Sequence, residues 1–202
     1  DPMLATGGSA NYAIDYLKSP EYYKLGSKII IIGAGNVAVD AARTMIRNGA
    51  KEVIILNREG ETGITANKRE FNDAVAEGLQ VLNFKSVLEI KDDGIILANT
   101  EMVEKDGNID YDIDYSTEQF YKCDSVVVAI SQGPRSNIVS ANKDLEINEK
   151  GLIITNVDGS TTKKGVFSGG DVVTGAKTVV EAVKMSKIIA EKMDEYLKEE
   201  FN

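Results

Sequence analysis

Six residues carry the strongest chemical signal in this chain: Gly33-Ala34-Gly35-Asn36-Val37-Ala38, a G-x-G-x-x-A run. Glycine at the first position permits a tight turn from strand to helix. Glycine at the second leaves room for a pyrophosphate to approach the backbone, and the small Ala38 lets helix and strand pack closely. A helix that starts there turns unpaired N–H groups and its positive end toward the anion. The spacing points to a dinucleotide, with Gly33, Gly35, Asn36, Val37 and Ala38 holding its pyrophosphate. The hexapeptide alone is a weak signal. Its context strengthens it: the apolar run "KIIIIG" precedes it, a helical pattern follows, and "EVIIL" at 52–56 closes the unit.

The residues after that second apolar run bear on which dinucleotide. A carboxylate there bonds the adenosine ribose, and an arginine favours a 2′-phosphate. The chain reads Asn57-Arg58-Glu59, with Lys68 and Arg69 further along the same loop. Asn57, Arg58 and Lys68 therefore favour NADP(H). Glu59 and Glu61 oppose a phosphate, so NAD(H) stays open, as does a merely solvated Arg58. A second glycine motif, Gly169-Gly170-Asp171, ends a short apolar run, and a long helical pattern begins after Thr178. Gly170, Asp171, Thr178 and Val179 form a second candidate site, for an anion or a dipole; the alternative is an ordinary loop and helix cap.

Composition removes most other chemistry. The 202 residues contain no histidine and one cysteine, Cys123. Ser-His-Asp catalysis, histidine metal sites, an internal disulfide and a thiol pair are all excluded. A net charge of −9 disfavours nucleic acid or an anionic membrane as partner. No apolar run is long enough for a membrane helix. A cytoplasmic location is expected. Chemistry here must come from a bound cofactor or from carboxylates.

The elements that position these motifs follow from periodicity. Residues 7–19 read as a short helix capped by Ser9. The run at 28–33, a helix at about 36–48 ended by Gly49, and 52–56 make a β-α-β unit with strands buried on both faces. A helix at about 67–77 and a strand at 79–84 extend it. Alternating segments separated by Asp93-Gly94 and Asp106-Gly107 predict a three-stranded antiparallel meander at 86–122. "SVVVAI" at 125–130 returns to a buried parallel strand. A hairpin at 145–155, a short strand at 165–171 and a long helix at about 176–200 complete the chain, with Val179, Val180, Val183, Ile188 and Met193 on the helix's apolar side. The expected fold class is α/β: a Rossmann-like parallel sheet with an inserted meander.

Four motifs in order resemble the NAD(P)H-dependent flavoprotein module of glutamate synthase small (beta) subunits, whose relatives include dihydropyrimidine dehydrogenase and electron-bifurcating transhydrogenases. "IIIIGAGNVAVDAARTMIRNGAKEVIILNR" is similar to its NADPH segment. "ITANKREFNDAVAEG" is similar to its next helix motif, matching at Ala66, Glu70, Glu77 and Gly78. "CDSVVVAISQGP" resembles its late strand, and "GVFSGGDVVTGAKTVVEAVKMSKIIAEKM" its C-terminal flavin segment. Glu59 stands where the family carries a second arginine, Thr65 where it carries a proline, and Ser131 where it carries a glycine.

The resemblance implies a nicotinamide nucleotide, NADP(H) or NAD(H), passing hydride to FAD. It puts Ser131 and Gln132 near the nicotinamide half, Asp171 at the flavin ribityl or phosphate region, and Thr178 and Val179 at the flavin ring. It divides the chain into 1–27 and 156–202, partial FAD-domain segments, and 28–155, the NAD(P)H domain. The family's earlier G-x-G-x-x-G and cysteine-rich iron–sulfur region are not in this sequence, which begins Asp1-Pro2. The expectation is a piece of a longer chain that does not retain FAD and is inactive alone, its electron acceptor lying in a missing FAD/iron–sulfur region or a partner subunit. Two other readings are a non-catalytic NAD(P)-binding sensor module and a small-substrate dehydrogenase. The C-terminal motif weighs against the first and the absence of histidine against the second.

Overall fold

The computed structural model describes residues 5–6, 10–105, 107–130, 142 and 144–201. They fall in two compact units, Asp1–Ser131 and Gln132–Asn202. The first unit contains β1 (Ala5–Thr6), β2 (Ala10–Tyr12), α1 (Ala13–Lys18), β3 (Lys28–Ile32), α2 (Asn36–Arg47), β4 (Glu52–Asn57), α3 (Lys68–Ala76), β5 (Gln80–Asn83), β6 (Lys85–Lys91), β7 (Gly94–Lys105), β8 (Asn108–Lys122) and β9 (Ser125–Val128). A five-stranded, wholly parallel sheet runs β2-β9-β3-β4-β5. A second sheet, β1-β6-β7-β8, is the expected antiparallel meander with β1 added parallel to β6. The fold is thus α/β with an inserted meander, as the turn dipeptides indicate.

One expectation fails at the start. Residues 10–12 are not helix. They pair in parallel with Val126–Val128 at the sheet edge, so α1 begins only at Ala13, and its N-cap is Tyr12. The expected cap, Ser9, lies outside the described residues. A ready-made edge of unpaired β9 groups outweighs weak local helix propensity.

The strands alternate between two cores. Ile29, Ile31, Val53, Ile55 and Val127 face a core completed by Ala38, Val39, Ala41, Ala42 and Met45 of α2, with Ala13 and Tyr16 of α1 and Ala74 of α3. Ile30, Ile54, Leu56 and Val126 face the opposite core, closed by Ile90, Ile95 and Leu97 of the meander and by Cys123 just after it. Each buried isoleucine contributes about 1.5–3 kcal/mol of apolar burial. Continuous Ile/Val runs, rather than alternating polar and apolar residues, are what a sheet covered on both faces requires.

The second unit contains α4 (Asp171–Thr174) and α5 (Val179–Phe201). The expected hairpin turns at Gly151, with Ile147 bridging Ile153. The expected strand at 165–171 reduces to a single bridge between Phe167 and Ser160. The long helix forms, but the side expected to be apolar does not pack within this unit. Val179, Val180, Val183, Ile188 and Met193 are exposed. Met185, Ile189 and Tyr196 make the contacts within the unit: Ile189 fills the space over Gly159 and Gly169, and Tyr196 packs edge-on against Phe167. Only glycine leaves that space, so the loop, not the helix, chooses the face.

Helices α2 and α3 are cross-linked by Glu77, which receives Arg43 at 2.7 and 3.1 Å and Arg47 at 2.7 and 3.2 Å. The Arg43 bonds first, then those of Arg47, hold the Glu77 carboxyl down to about 2 from an ordinary 4.5. A depressed carboxyl stabilises the fold above its ordinary value and loses that contribution as the pH falls toward the folded one. Glu77→Gln should therefore lower the thermal unfolding midpoint at neutral pH, and the gap from wild type should close between about pH 4.5 and 2. Unfolding scans across that range test it; a gap that does not change with pH would refute the assignment.

Candidate functional site

The glycine turn lies where the order of the parallel sheet reverses. β3 is flanked by β4, the next strand in the chain, on one side and by β9, reached only after β5, on the other, so the chain extends the sheet from β3 in one direction and then crosses back to its other side. The crevice at the carboxyl ends of such strands is where open α/β sheets bind ligands. Gly33 has φ +113°, and a Cβ there would sit 2.7 Å from the Ala129 carbonyl oxygen. The close approach of β3 and β9 thus demands glycine. Gly35 is different. Its φ of −91° and ψ of −178° suit any residue, and an added Cβ would meet nothing nearer than Thr65 Oγ1 at 3.5 Å. The fold does not need Gly35; its missing side chain keeps the space before α2 clear.

Gly35 caps α2 without a side-chain hydrogen bond. Among the described residues, no acceptor takes the N–H groups of Asn36, Val37 and Ala38, and the first such bond is Val39 N–H to the Gly35 carbonyl. Ala38 is fully buried against the sheet, whereas Asn36 is exposed. Asn36 Oδ1 accepts the Asn67 N–H at 2.7 Å. The N–H groups of Thr65 and Ala66 donate to the Ala34 carbonyl at 3.1 and 3.2 Å. These three bonds tie loop 64–67 to the glycine turn. A proline at 65 has no N–H and could not make one of them. Asn67 also caps α3, accepting from the Arg69 and Glu70 N–H groups.

After β4, the structure gives Asn57 partners inside the protein. It is 4% exposed. Its Nδ2 donates to the Gly60 carbonyl and to Asn83 Oδ1, and its Oδ1 accepts the Glu59 N–H at 3.2 Å. Asn57 therefore knots the loop. Arg58, half exposed, pairs with Glu59 at 3.4 Å. Its carbonyl accepts from buried Thr100 Oγ1 of β7 at 2.6 Å. Thr62 Oγ1 donates to the Glu59 carbonyl, which leaves Tyr111 OH of β8 to donate to Thr62 Oγ1 at 3.2 Å. Lys68 is exposed, with no ion pair among the described residues. Sequence reasoning missed Thr62, Asn83, Thr100 and Tyr111; only the cap pattern at Asn67 had a readable signal.

The second motif lies in the second unit. Gly170 has φ +73° and caps α4. Asp171 Oδ1 accepts the Lys177 N–H at 3.3 Å. Thr178 and Glu181 form a capping box: Glu181 Oε2 accepts the Thr178 N–H and hydroxyl at 3.1 and 2.8 Å, and the Glu181 N–H donates to Thr178 Oγ1 at 3.3 Å. The Thr178 N–H, followed by its hydroxyl, lowers the Glu181 carboxyl below its ordinary value. The Val179 N–H has no acceptor among the described residues, and Val179 is 79% exposed. Ser131 and Gln132 lie outside the described residues. A cavity of about 480 Å³, lined by Tyr16, Tyr23, Ile29, Met45 and Asn48 among others, opens at the far end of the sheet and contains no predicted site residue.

Comparison with known families matches residues 4–186 to the pyridine nucleotide-disulphide oxidoreductases. The chain is 34% identical over 194 residues to the NADP(+)-dependent formate dehydrogenase subunit beta of Moorella thermoacetica, covering 86% of this chain and 26% of that one. It is 29% identical over 201 residues to the glutamate synthase (NADPH) small chain of Halomonas elongata, covering 94% and 43%. The crystal structure of T. acidophilum thioredoxin reductase superposes with a TM-score of 0.71 at 18% identity, over 96% of this chain and 58% of that one. The chain belongs to the pyridine nucleotide-disulphide oxidoreductase family. It spans less than half the length of these two curated relatives.

The two glycines separate by stability. Gly33→Ala should cost at least about 1–2 kcal/mol from the left-handed backbone alone, with the Ala129 contact adding to it. Gly35→Ala should change stability by less than about 1 kcal/mol. Urea unfolding of both variants checks this; equal losses would contradict the division of roles.

Proposed function

We propose that this member of the family binds a nicotinamide nucleotide at the glycine turn, NADP(H) in preference to NAD(H), and forms the nucleotide-binding part of a flavoprotein oxidoreductase that passes hydride from NAD(P)H to FAD, as in glutamate synthase small subunits. The observation that carries it is the α2 N-terminus. Three open N–H groups stand at the sheet's switch point, behind a glycine the backbone does not require. Gly33, Gly35, Asn36, Val37 and Ala38 hold the pyrophosphate, and Ala38 brings the helix close enough for its field to act. Arg58 and Lys68 meet the adenosine end, with Asn57 positioning the loop that carries Arg58. Ser131 and Gln132 serve the nicotinamide half.

In the same reading, 156–202 and 1–27 belong with an FAD domain, and 28–155 is the NAD(P)H domain. Gly170 and Asp171 approach the flavin's ribityl and phosphate groups, and the open Val179 N–H at the start of α5 donates to the ring. The exposed apolar side of α5 supports this, because a helix apolar on two sides is expected to be covered on both. Bound together, the nicotinamide and flavin supply hydride donor and acceptor. The chain's residues bind, orient and exclude water. The onward acceptor belongs to an FAD/iron–sulfur region or a partner subunit, in the cytoplasm.

Titration of the purified chain with NADPH and NADH, read by nucleotide fluorescence, tests this. NADPH should bind more tightly, and the chain should carry no flavin colour. Gly35→Ala should weaken both nucleotides by at least about tenfold while the protein stays folded. Arg58→Ala should weaken NADPH by about tenfold and NADH far less. Binding of neither nucleotide would sink the proposal; tighter NADH binding would reverse the cofactor preference; a yellow protein that reduces a dye with NADPH would show that FAD is retained.

A further inference from the structure

The space that Gly35 leaves empty is bordered by a hydroxyl. An ideal Cβ built on Gly35 would lie 3.5 Å from Thr65 Oγ1, and apart from the flanking residues no other described atom comes within 4 Å of it. Backbone bonds hold Thr65 in that place. Its N–H donates to the Ala34 carbonyl at 3.1 Å, and the Ala66 N–H donates to the same oxygen at 3.2 Å. The Asn67 N–H donates to Asn36 Oδ1 at 2.7 Å. The Thr65 hydroxyl itself, on an exposed residue, has no hydrogen-bond partner among the described residues. It is therefore positioned by the fold without contributing a bond to it. The bond from Asn67 also sets the N-cap of α3 against Asn36, the first residue of α2. The amino ends of two helices, with their positive partial charge, thus lie beside the loop that carries Thr65.

We propose that Thr65 is a pyrophosphate-binding residue: its hydroxyl donates to a phosphoryl oxygen of the dinucleotide seated over Gly35, a fourth donor beside the N–H groups of Asn36, Val37 and Ala38. The proposal rests on the nucleotide reading of the glycine turn and adds a side-chain contact to it. The second glycine of the turn is the point of closest approach to the pyrophosphate. A phosphoryl oxygen in the space over Gly35 needs a shift of only about 0.5–1 Å to come within hydrogen-bond range of Thr65 Oγ1. A hydroxyl that donates to an ionised oxygen makes a charge-assisted bond, stronger than one between neutral groups. Proline, the residue that the family resemblance puts at 65, has no hydroxyl, so this contact does not come with the motif. The pyrophosphate is common to NADP(H) and NAD(H). Thr65 therefore adds affinity for both and, unlike Arg58, no preference between them.

The test is titration of NADPH and NADH into the whole chain, read by nucleotide fluorescence, for wild type, Thr65→Val and Thr65→Ser. Thr65→Val keeps the branched shape and the backbone N–H and removes only the hydroxyl. It should weaken NADPH and NADH by the same factor, at least about fivefold. It should leave the thermal unfolding midpoint of the nucleotide-free protein unchanged, because the hydroxyl has no partner there to lose. Thr65→Ser retains the donor and should restore near-wild-type binding. If wild type binds and Thr65→Val binds as tightly, or if Thr65→Ser is weakened as much as Thr65→Val, the hydroxyl does not hold the nucleotide. Unequal losses for the two nucleotides would take Thr65 away from the pyrophosphate. A lowered unfolding midpoint for Thr65→Val would show that the hydroxyl serves the fold. Wild type that binds neither nucleotide would instead refute the nucleotide reading itself.

Discussion

Ile30 and Ile31 of β3 are both fully buried, on opposite faces of one strand. Helices cover one face and the meander covers the other. A strand buried on both sides cannot slip by one residue without driving an entire set of side chains into the wrong core. Its carboxyl end is therefore held in place, and so is Gly33, whose contact with Ala129 sets how closely β9 runs beside it. The open N–H groups of α2 point where they do because the strand before them has no freedom to move. Loop 64–67, bonded three times to the turn, inherits the same fixed frame.

The stretch after β4 is built on a different principle. It is a loop, and its shape comes from buried polar bonds rather than from apolar packing. Asn57 satisfies three groups of the chain from a position that is almost wholly buried. Leaving such groups unpaired would cost about 1–3 kcal/mol each, which is reason enough for an amide at this place whatever the nucleotide. Arg58, one residue on, is half exposed and carries the loop's positive charge beside an acidic neighbour. The family's second arginine is replaced by the very residue, Glu59, that pairs with the first.

The second unit shows how a helix can be read correctly in length and wrongly in orientation. α5 is apolar on more than one side, so its 3.6-residue periodicity does not single out one face. Gly159 and Gly169 make the choice by leaving space that Ile189 occupies. The same segment carries a capping pair, Thr178 and Glu181, that is legible as a three-residue spacing and is present in the structure.

Local grammar was sufficient for the β-α-β unit, the glycine turn, the meander and the glycine that ends α2, because each depends on residues a few positions apart: a glycine where φ is positive, an apolar run where both faces are covered, a turn dipeptide between alternating strands. It failed at residues 10–12, where the deciding partner, Val126–Val128, lies more than a hundred residues away. It was blind to Thr100 and Tyr111 for the same reason. Their hydrogen bonds to the loop after β4 depend on where a long hairpin comes to rest, and no periodicity encodes that. The expectation of a dinucleotide thus came from short-range spacing. The bond of Asn57 to Asn83, the packed face of α5 and the reach of Thr100 and Tyr111 to the loop after β4 came from contacts between segments apart in sequence, which exist only once the chain has folded.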